Sequence, residues 1–283
     1  MPELPEVEVT KRGIEKPLLN AIISSIYFDD KSLRKPFSPD LKKLEKARVL
    51  KIERRAKYIL ITTTNGYLLL HLGMTGHLRV LDQKTPMDTH DHFEISLQSG
   101  VSIRYNDIRR FGLVLYFDKT QDPYQCEPLK SLGPEPFSEE FTSEYLFSRL
   151  HRLKKSIKQA LMDNSIVVGV GNIYASEVLF LTKISPLTPS NKITQKQCDS
   201  LVEQIPLLLK ESIKKGGTTI RDFSGADGKL GYFVQNLYVY GHEGEPCRIC
   251  GTKIVSTVQG QRSTFYCPAL PEIEAISSEK KSD

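Results

Sequence analysis

The chain opens MPELPEVEV, which puts Pro2 where the amino terminus will lie once the initiator methionine is removed, with Glu3 and Glu6 close behind. Met before Pro is a substrate for that removal because proline is small, and the product is a secondary amine. An α-amino group titrates at about 7.7 to 8.0, so a useful fraction is unprotonated and nucleophilic at neutral pH. Attack on an electrophilic carbon such as C1′ of a sugar would give an iminium ion. Glu3 and Glu6 lie three apart, on one face of a helix, where a carboxyl group would shuttle protons. Taken alone, the composition favours a plainer reading, in which Pro2 starts a helix whose dipole welcomes the glutamates. A second candidate for chemistry is the C-x-x-C of Cys247 and Cys250. Five cysteines are an odd count for a disulfide framework, and in a reducing compartment this spacing points to a metal or redox feature rather than a bridge.

Elements must position these groups. With 283 residues, 39% of them hydrophobic, the chain can build two domains, since cores usually split at roughly 100 to 200 residues. No apolar run approaches the ~20 residues of a membrane helix, and residues 1–12 are too charged for a signal peptide; a cytoplasmic protein away from membranes is expected. A net charge of +5 is compatible with a polyanionic partner without requiring one. Residues 3–14 read as a short helix with Pro5 in its first turn and Lys11 and Arg12 at its end. From Val49 to Phe117 the period is two: VLKIE, KYILITTT, YLLLHL, HFEISLQ, VSIRYN and GLVLYF are strand-like, with hairpin turns at Asn65-Gly66 and Ser99-Gly100. Residues 118–140 carry four prolines and little periodicity, which marks a linker. Beyond it TSEYLFSRLHRL, SIKQALMD, NIYASEVLFL and QKQCDSLVEQIPLLLKESIKK show helical spacing. Gly216-Gly217 stops the last helix, and a loop rich in Gly and Asp leads to a small hairpin with Cys at its ends.

MPELPEVE, RRAKYIL (54–60), HLGMTG (71–76), NDIRRFG (106–112), VVGVGNIYASE (167–177), GGTTIRDF (216–223), DGKLGYF (227–233), VYGHEGEPCRICG (239–251) and QRSTFYC (261–267) together resemble bacterial formamidopyrimidine-DNA glycosylase. They run in order from residue 2 to residue 267. The resemblance implies an α+β protein: an N-terminal β-sandwich domain with a leading helix over 1–117, a linker over 118–140, a helix-two-turn-helix domain over 141–235, a zinc-finger-like hairpin over 236–270 and a tail over 271–283. It implies a monomeric base-excision repair enzyme that removes oxidised purines, 8-oxoguanine and formamidopyrimidines, from double-stranded DNA and then cuts the abasic site by β,δ-elimination.

By this likeness the Pro2 amine attacks C1′, Glu3 handles protons at the sugar, Glu6 supports the site and Lys57 grips phosphate near the lesion. Met74, Arg109 and Phe111 match residues that fill the gap left when a nucleotide swings out of the stack, although Met and Phe are more often core residues. His90 falls at a phosphate-contact position. Gly169, Gly171 and Asn172 lie in the turn between two helices, where Asn172 would serve as an N-cap and the amides would hold phosphate. The loop 218–233 matches a segment that closes over the flipped base, and Arg262 matches a phosphate-gripping arginine on the hairpin. Leu4 in MPELPE favours this branch over endonuclease VIII-like enzymes for oxidised pyrimidines, whose start resembles MPEGPE. A protein that binds damaged DNA without cutting it is a further alternative.

The hairpin departs from the family. Two C-x-x-C pairs normally hold one structural zinc through four thiolates. Cys247, Cys250 and Cys267 stand in place, while Leu270 occupies the fourth position and Cys126 and Cys198 lie far off in the chain. A weakened structural zinc is expected. Leu-Pro-Glu encoded TTG CCA GAG becomes Cys-Gln on loss of one T, so a frameshift is one hypothesis for the departure.

Overall fold

Glu3 determines where the first helix begins. In the computed structural model, which describes residues 2–217 and 236–270, its backbone is extended and it caps helix α1 (Leu4–Leu18). Pro5 sits in the first turn, where a missing N–H costs nothing. The helix runs four residues past the expected end at 14, through Pro17 to Leu18. Ile14 and Leu18 are both fully buried, so core packing carries the last turn beyond the charge pattern that suggested its end.

Two compact units are built, one from residues 1–131 with 212–234 and one from 132–211 with 235–283. The first is a sandwich of two antiparallel sheets. One has the order β1-β6-β7-β5 and comprises β1 (Ile23–Phe28), β5 (His77–Asp82), β6 (Asp91–Leu97) and β7 (Val101–Asn106). The other has the order β2-β3-β4-β8, with β2 (Val49–Arg55), β3 (Tyr58–Thr63), β4 (Gly66–His71) and β8 (Leu113–Asp118). Ile26, Leu78, Ile95 and Ile103 of the first meet Ile52, Ile59, Ile61, Leu68 and Val114 of the second in one core, to which α1 contributes Val7, Ile14 and Leu18. Each such side chain stabilises the fold by about 1.5–3 kcal/mol.

Strands β1 and β5 were not expected from the period-two pattern. Both are edge strands, paired on one side only, and each buries few residues, so the alternation that marks a strand is diluted. The hairpin at Asn65-Gly66 also shifts by one residue. Thr63 pairs with Gly66, which leaves Thr64 and Asn65 in the loop and makes Gly66 the first residue of β4. Glycine is required there because a β-carbon would stand 2.5 Å from the Phe117 carbonyl oxygen.

The second unit contains α2 (Ser143–Leu150), α3 (Ile157–Leu161) and α4 (Asn172–Leu181), with α5 (Gln195–Lys214) beginning in it. Thr142 and Ser156 cap α2 and α3 through their hydroxyls, each worth ~1 kcal/mol. Its hairpin is β9 (Val255–Gln259) and β10 (Arg262–Tyr266), joined by Gly260 and Gln261, both at positive φ as a tight hairpin turn demands. The loop expected over 218–233 and the tail 271–283 lie outside the described residues.

Candidate active site and nucleic-acid interface

Pro2 is buried, and so are Glu3 and Glu6, at 1% and 2% exposure. The Glu3 backbone N–H donates to Glu6 Oε2 at 2.9 Å, and the Glu3 carboxylate accepts from the Glu6 backbone N–H. The two acids therefore do not share a helix face, as their spacing suggested; Glu3 precedes the helix and Glu6 closes its cap. Gly217 lies against the same carboxylate, since a β-carbon on it would stand 3.1 Å from Glu6 Oε1. The glycine is also at φ 80, a region that disfavours other residues.

Lys57 sits with Ala56 in the loop between β2 and β3, where Arg55 pairs with Tyr58, and it is buried to 9% exposure. His71 ends β4, and its ring tilts against Tyr58 at 4.8 Å. Burial, and then the positive charges of Arg34 and Lys57, push its imidazole down to about 3. The ring is therefore neutral, and Nδ1 accepts from the Gly73 N–H at 3.0 Å.

Met74 is half-buried in the turn between β4 and β5, and Arg109 and Phe111 are exposed in the turn between β7 and β8. Asp107 joins these turns: its carboxylate accepts from Thr75 Oγ1 at 2.6 Å and from the Gly112 N–H at 2.8 Å. Thr75 Oγ1 in turn accepts from the Arg109 N–H at 3.1 Å. The Arg109 guanidinium lies over the Phe111 ring at 4.8 Å, leaving a large aromatic 46% exposed beside a cation. Arg110 between them takes φ 55, and its guanidinium goes instead to Asp29 Oδ2 at 2.9 Å and the Lys31 carbonyl at 3.1 Å. His90, half-buried just before β6, is tied to the same turn through its carbonyl, which accepts from the Asp107 N–H at 3.0 Å. Asp107, which motif reading did not single out, thus ties together the turns that carry Met74, His90, Arg109 and Phe111.

In the second unit Gly171, not Asn172, is the N-cap of α4. Gly171 has the extended backbone of a cap and its carbonyl accepts the first helical N–H, from Ala175, which makes Asn172 the first helical residue. Asn172 turns to Lys158, a lysine buried to 1% exposure. Lys158 Nζ donates to Asn172 Oδ1 at 2.7 Å, the Ser263 carbonyl at 2.8 Å and Thr264 Oγ1 at 2.8 Å. This orients the amide with Oδ1 toward Lys158, and Nδ2 donates to the Tyr240 hydroxyl at 3.4 Å, its second N–H being the one an anion at the helix N-terminus would use. Arg262, adjacent to Ser263, is exposed at the start of β10. Glu177, fully buried on α4, accepts from the backbone N–H groups of Tyr238, Val239 and Tyr240 at 2.7, 3.0 and 2.8 Å. Burial pushes its carboxyl up despite those donors. A lone charge in the apolar run NIYASEVLFL was the signal for it.

Cys247, Cys250 and Cys267 bring their sulfur atoms within 4.8 Å of one another, a donor set that fits zinc. Cys126 and Cys198 do not join this cluster. Leu270, 3% exposed, packs with Phe180, Val239, Cys247, Ile254 and Cys267, an apolar group where a closed zinc site has a fourth donor.

Three family models match the chain in sequence: the formamidopyrimidine-DNA glycosylase N-terminal domain over residues 1–114, its H2TH domain over 132–224, and a zinc finger found in FPG and IleRS over 244–269. Curated formamidopyrimidine-DNA glycosylases from Photorhabdus laumondii and Pasteurella multocida are 49% and 48% identical, over 94% and 95% of this chain and 98% of each relative. Among solved structures, a Lactococcus lactis Fpg bound to DNA containing an abasic site is similar with a TM-score of 0.86 at 34% identity, over 95% of this chain and 98% of that one. The MutM (Fpg) protein from Thermus thermophilus gives 0.86 at 32% identity, over 96% and 99%. A capped amino end, paired turns around Asp107, a braced helix start and a thiolate finger are thus found in a chain nearly half identical to these curated relatives along almost its whole length, and the chain belongs to the formamidopyrimidine-DNA glycosylase family.

Proposed function

We propose that this base-excision repair glycosylase for oxidised purines, with the lyase activity of its family, works through the Pro2 amine and acts as a monomer on duplex DNA in the cytoplasm. The observation that carries the nucleophile is the state of the chain start. Terminal residues are usually exposed and poorly ordered, yet Pro2 and Glu3 are buried, and Glu3 is held by a reciprocal cap with Glu6. The amine lone pair bonds to C1′ as the glycosidic bond breaks and the base leaves with a proton from solvent. The nitrogen then gives up its own proton, and Glu3 protonates O4′ as the C1′–O4′ bond opens, leaving an iminium at C1′. The resulting iminium is the electron sink for loss of the C2′ proton and of the 3′ and then the 5′ phosphate.

Met74, Arg109 and Phe111 form the wedge that replaces the extruded nucleotide, at a stacking cost of a few kcal/mol. Lys57, His90, Asn172 and Arg262 hold phosphates. Structures of similar proteins support this substrate class: a Lactococcus lactis Fpg variant holds Fapy-dG DNA and a MutM holds DNA with a carbocyclic 8-oxo-G. Mass spectrometry is expected to find a chain beginning at Pro2, and borohydride to trap it covalently on an 8-oxoguanine duplex. Pro2→Gly should weaken trapping, and Glu3→Gln should slow base removal far more than binding. Robust trapping by a protein that retains Met1 would overturn the assignment.

A further inference from the structure

Arg54 lies near the end of β2 with its side chain only 10% exposed. Its Nε donates to Glu8 Oε2 at 3.1 Å, and its Nη1 donates to the Ala56 carbonyl at 3.0 Å. Glu8 belongs to α1, the helix that Pro2 and Glu3 lead into, and its other oxygen accepts from Arg12 Nε at 2.8 Å. Ala56 immediately precedes Lys57 and holds φ 54, a left-handed backbone that is strained for a residue with a β-carbon. A single planar guanidinium therefore grips both the helix behind the amine and the strained loop that presents the lysine. Lysine cannot reproduce that fork.

We propose that Arg54 is a positioning residue that sets the spacing between the Pro2 amine and Lys57 by clamping α1, through Glu8, to the Ala56 carbonyl. It touches neither DNA nor the damaged base. The apolar contacts of α1 with the sandwich core do not need this clamp to hold the helix in the fold, but chemistry is far less tolerant, since a misplacement of about 1 Å costs on the order of a hundredfold in rate. The proposal rests on the roles given above to Pro2 and Lys57.

The experiment is single-turnover cleavage of a preformed abasic site in duplex DNA, alongside the Kd and salt slope for an intact duplex. Arg54→Met should cut the cleavage rate about tenfold or more, with Kd within about twofold and the salt slope unchanged. Arg54→Lys should recover part of the rate, and Glu8→Gln, which preserves shape, should slow cleavage in the same way. The Arg54→Met, Glu8→Gln double variant should be no slower than Arg54→Met alone, because both remove one clamp. A salt slope lowered by about one unit would make Arg54 a phosphate contact, and an unchanged rate or multiplicative losses would likewise overturn the clamp. Lys57→Ala separates the two levels. If it cleaves as fast as the unchanged protein, the role of Lys57 falls and the clamp with it; if it is slow while Arg54→Met is not, the clamp alone falls.

Discussion

His71 carries a prediction at the level of a single side chain. Its folded value, about 3, lies below the ordinary 6.5, so between those values the unfolded chain binds the proton more readily. The stability it contributes is present in full above pH 6.5 and is lost as pH falls toward 3, at up to ~1.4 kcal/mol per pH unit. His71→Asn keeps an acceptor for the Gly73 N–H but cannot titrate. Urea unfolding at pH 6, 5 and 4 should show a shallower loss for the variant, and parallel profiles would contradict it. Arg109 and Phe111 invite a different measurement, since one stacks over the other on an exposed turn. Their Ala variants should lose lesion processing and opposite-base discrimination while keeping most salt-dependent binding to undamaged duplex. Equal losses on damaged and undamaged DNA would count against a wedge.

The finger illustrates what one residue does to an element. Its three cysteines cluster while Leu270, at the position of the fourth ligand in the family pattern, packs into the apolar group beside Cys247 and Cys267, so zinc here would lack the donor that closes a structural site. Metal binding supplies much of the folding energy of so small a module. Purified protein should contain less than one zinc per chain and lose it readily to a chelator, and Leu270→Cys should restore both the metal and DNA affinity. One tightly held zinc in the unchanged protein, resistant to chelation, would show that three cysteines suffice. The hairpin does not depend on metal alone: Lys158 binds the Ser263 carbonyl and Thr264, which gives β10 a second attachment next to Arg262.

For the whole molecule the relevant quantity is the number of phosphates held. Lys57 belongs to one unit and Arg262 to the other, and additive effects are expected of them. Neutralising either should lower affinity for every duplex alike and reduce the salt slope by about one unit, and the double variant by about two. A changed lesion preference with an unchanged slope would remove either residue from the phosphate contacts. Among the described residues no helix is long and apolar enough to cross a membrane.

Local patterns in the chain already determined much of this. Strands β2, β3, β4, β6, β7 and β8 announce themselves by alternating or unbroken apolar runs, bounded in several places by turn residues such as Asn65-Gly66 and Ser99-Gly100. The helices from α2 to α5 follow from apolar spacing, and the motifs from Pro2 to Cys267 name the groups able to do chemistry. Tertiary structure decided the rest. Edge strands β1 and β5 exist because a neighbour recruits them, and Glu3 and Glu6 divide into cap and partner only when the helix start is built. Asp107 binds a threonine 32 positions away, Lys158 reaches a strand 106 positions on, and Glu177 holds backbone 61 to 63 positions on. Propensity and periodicity act over a few residues, whereas a buried charge must find its partners wherever the fold brings them, and no local pattern records that address.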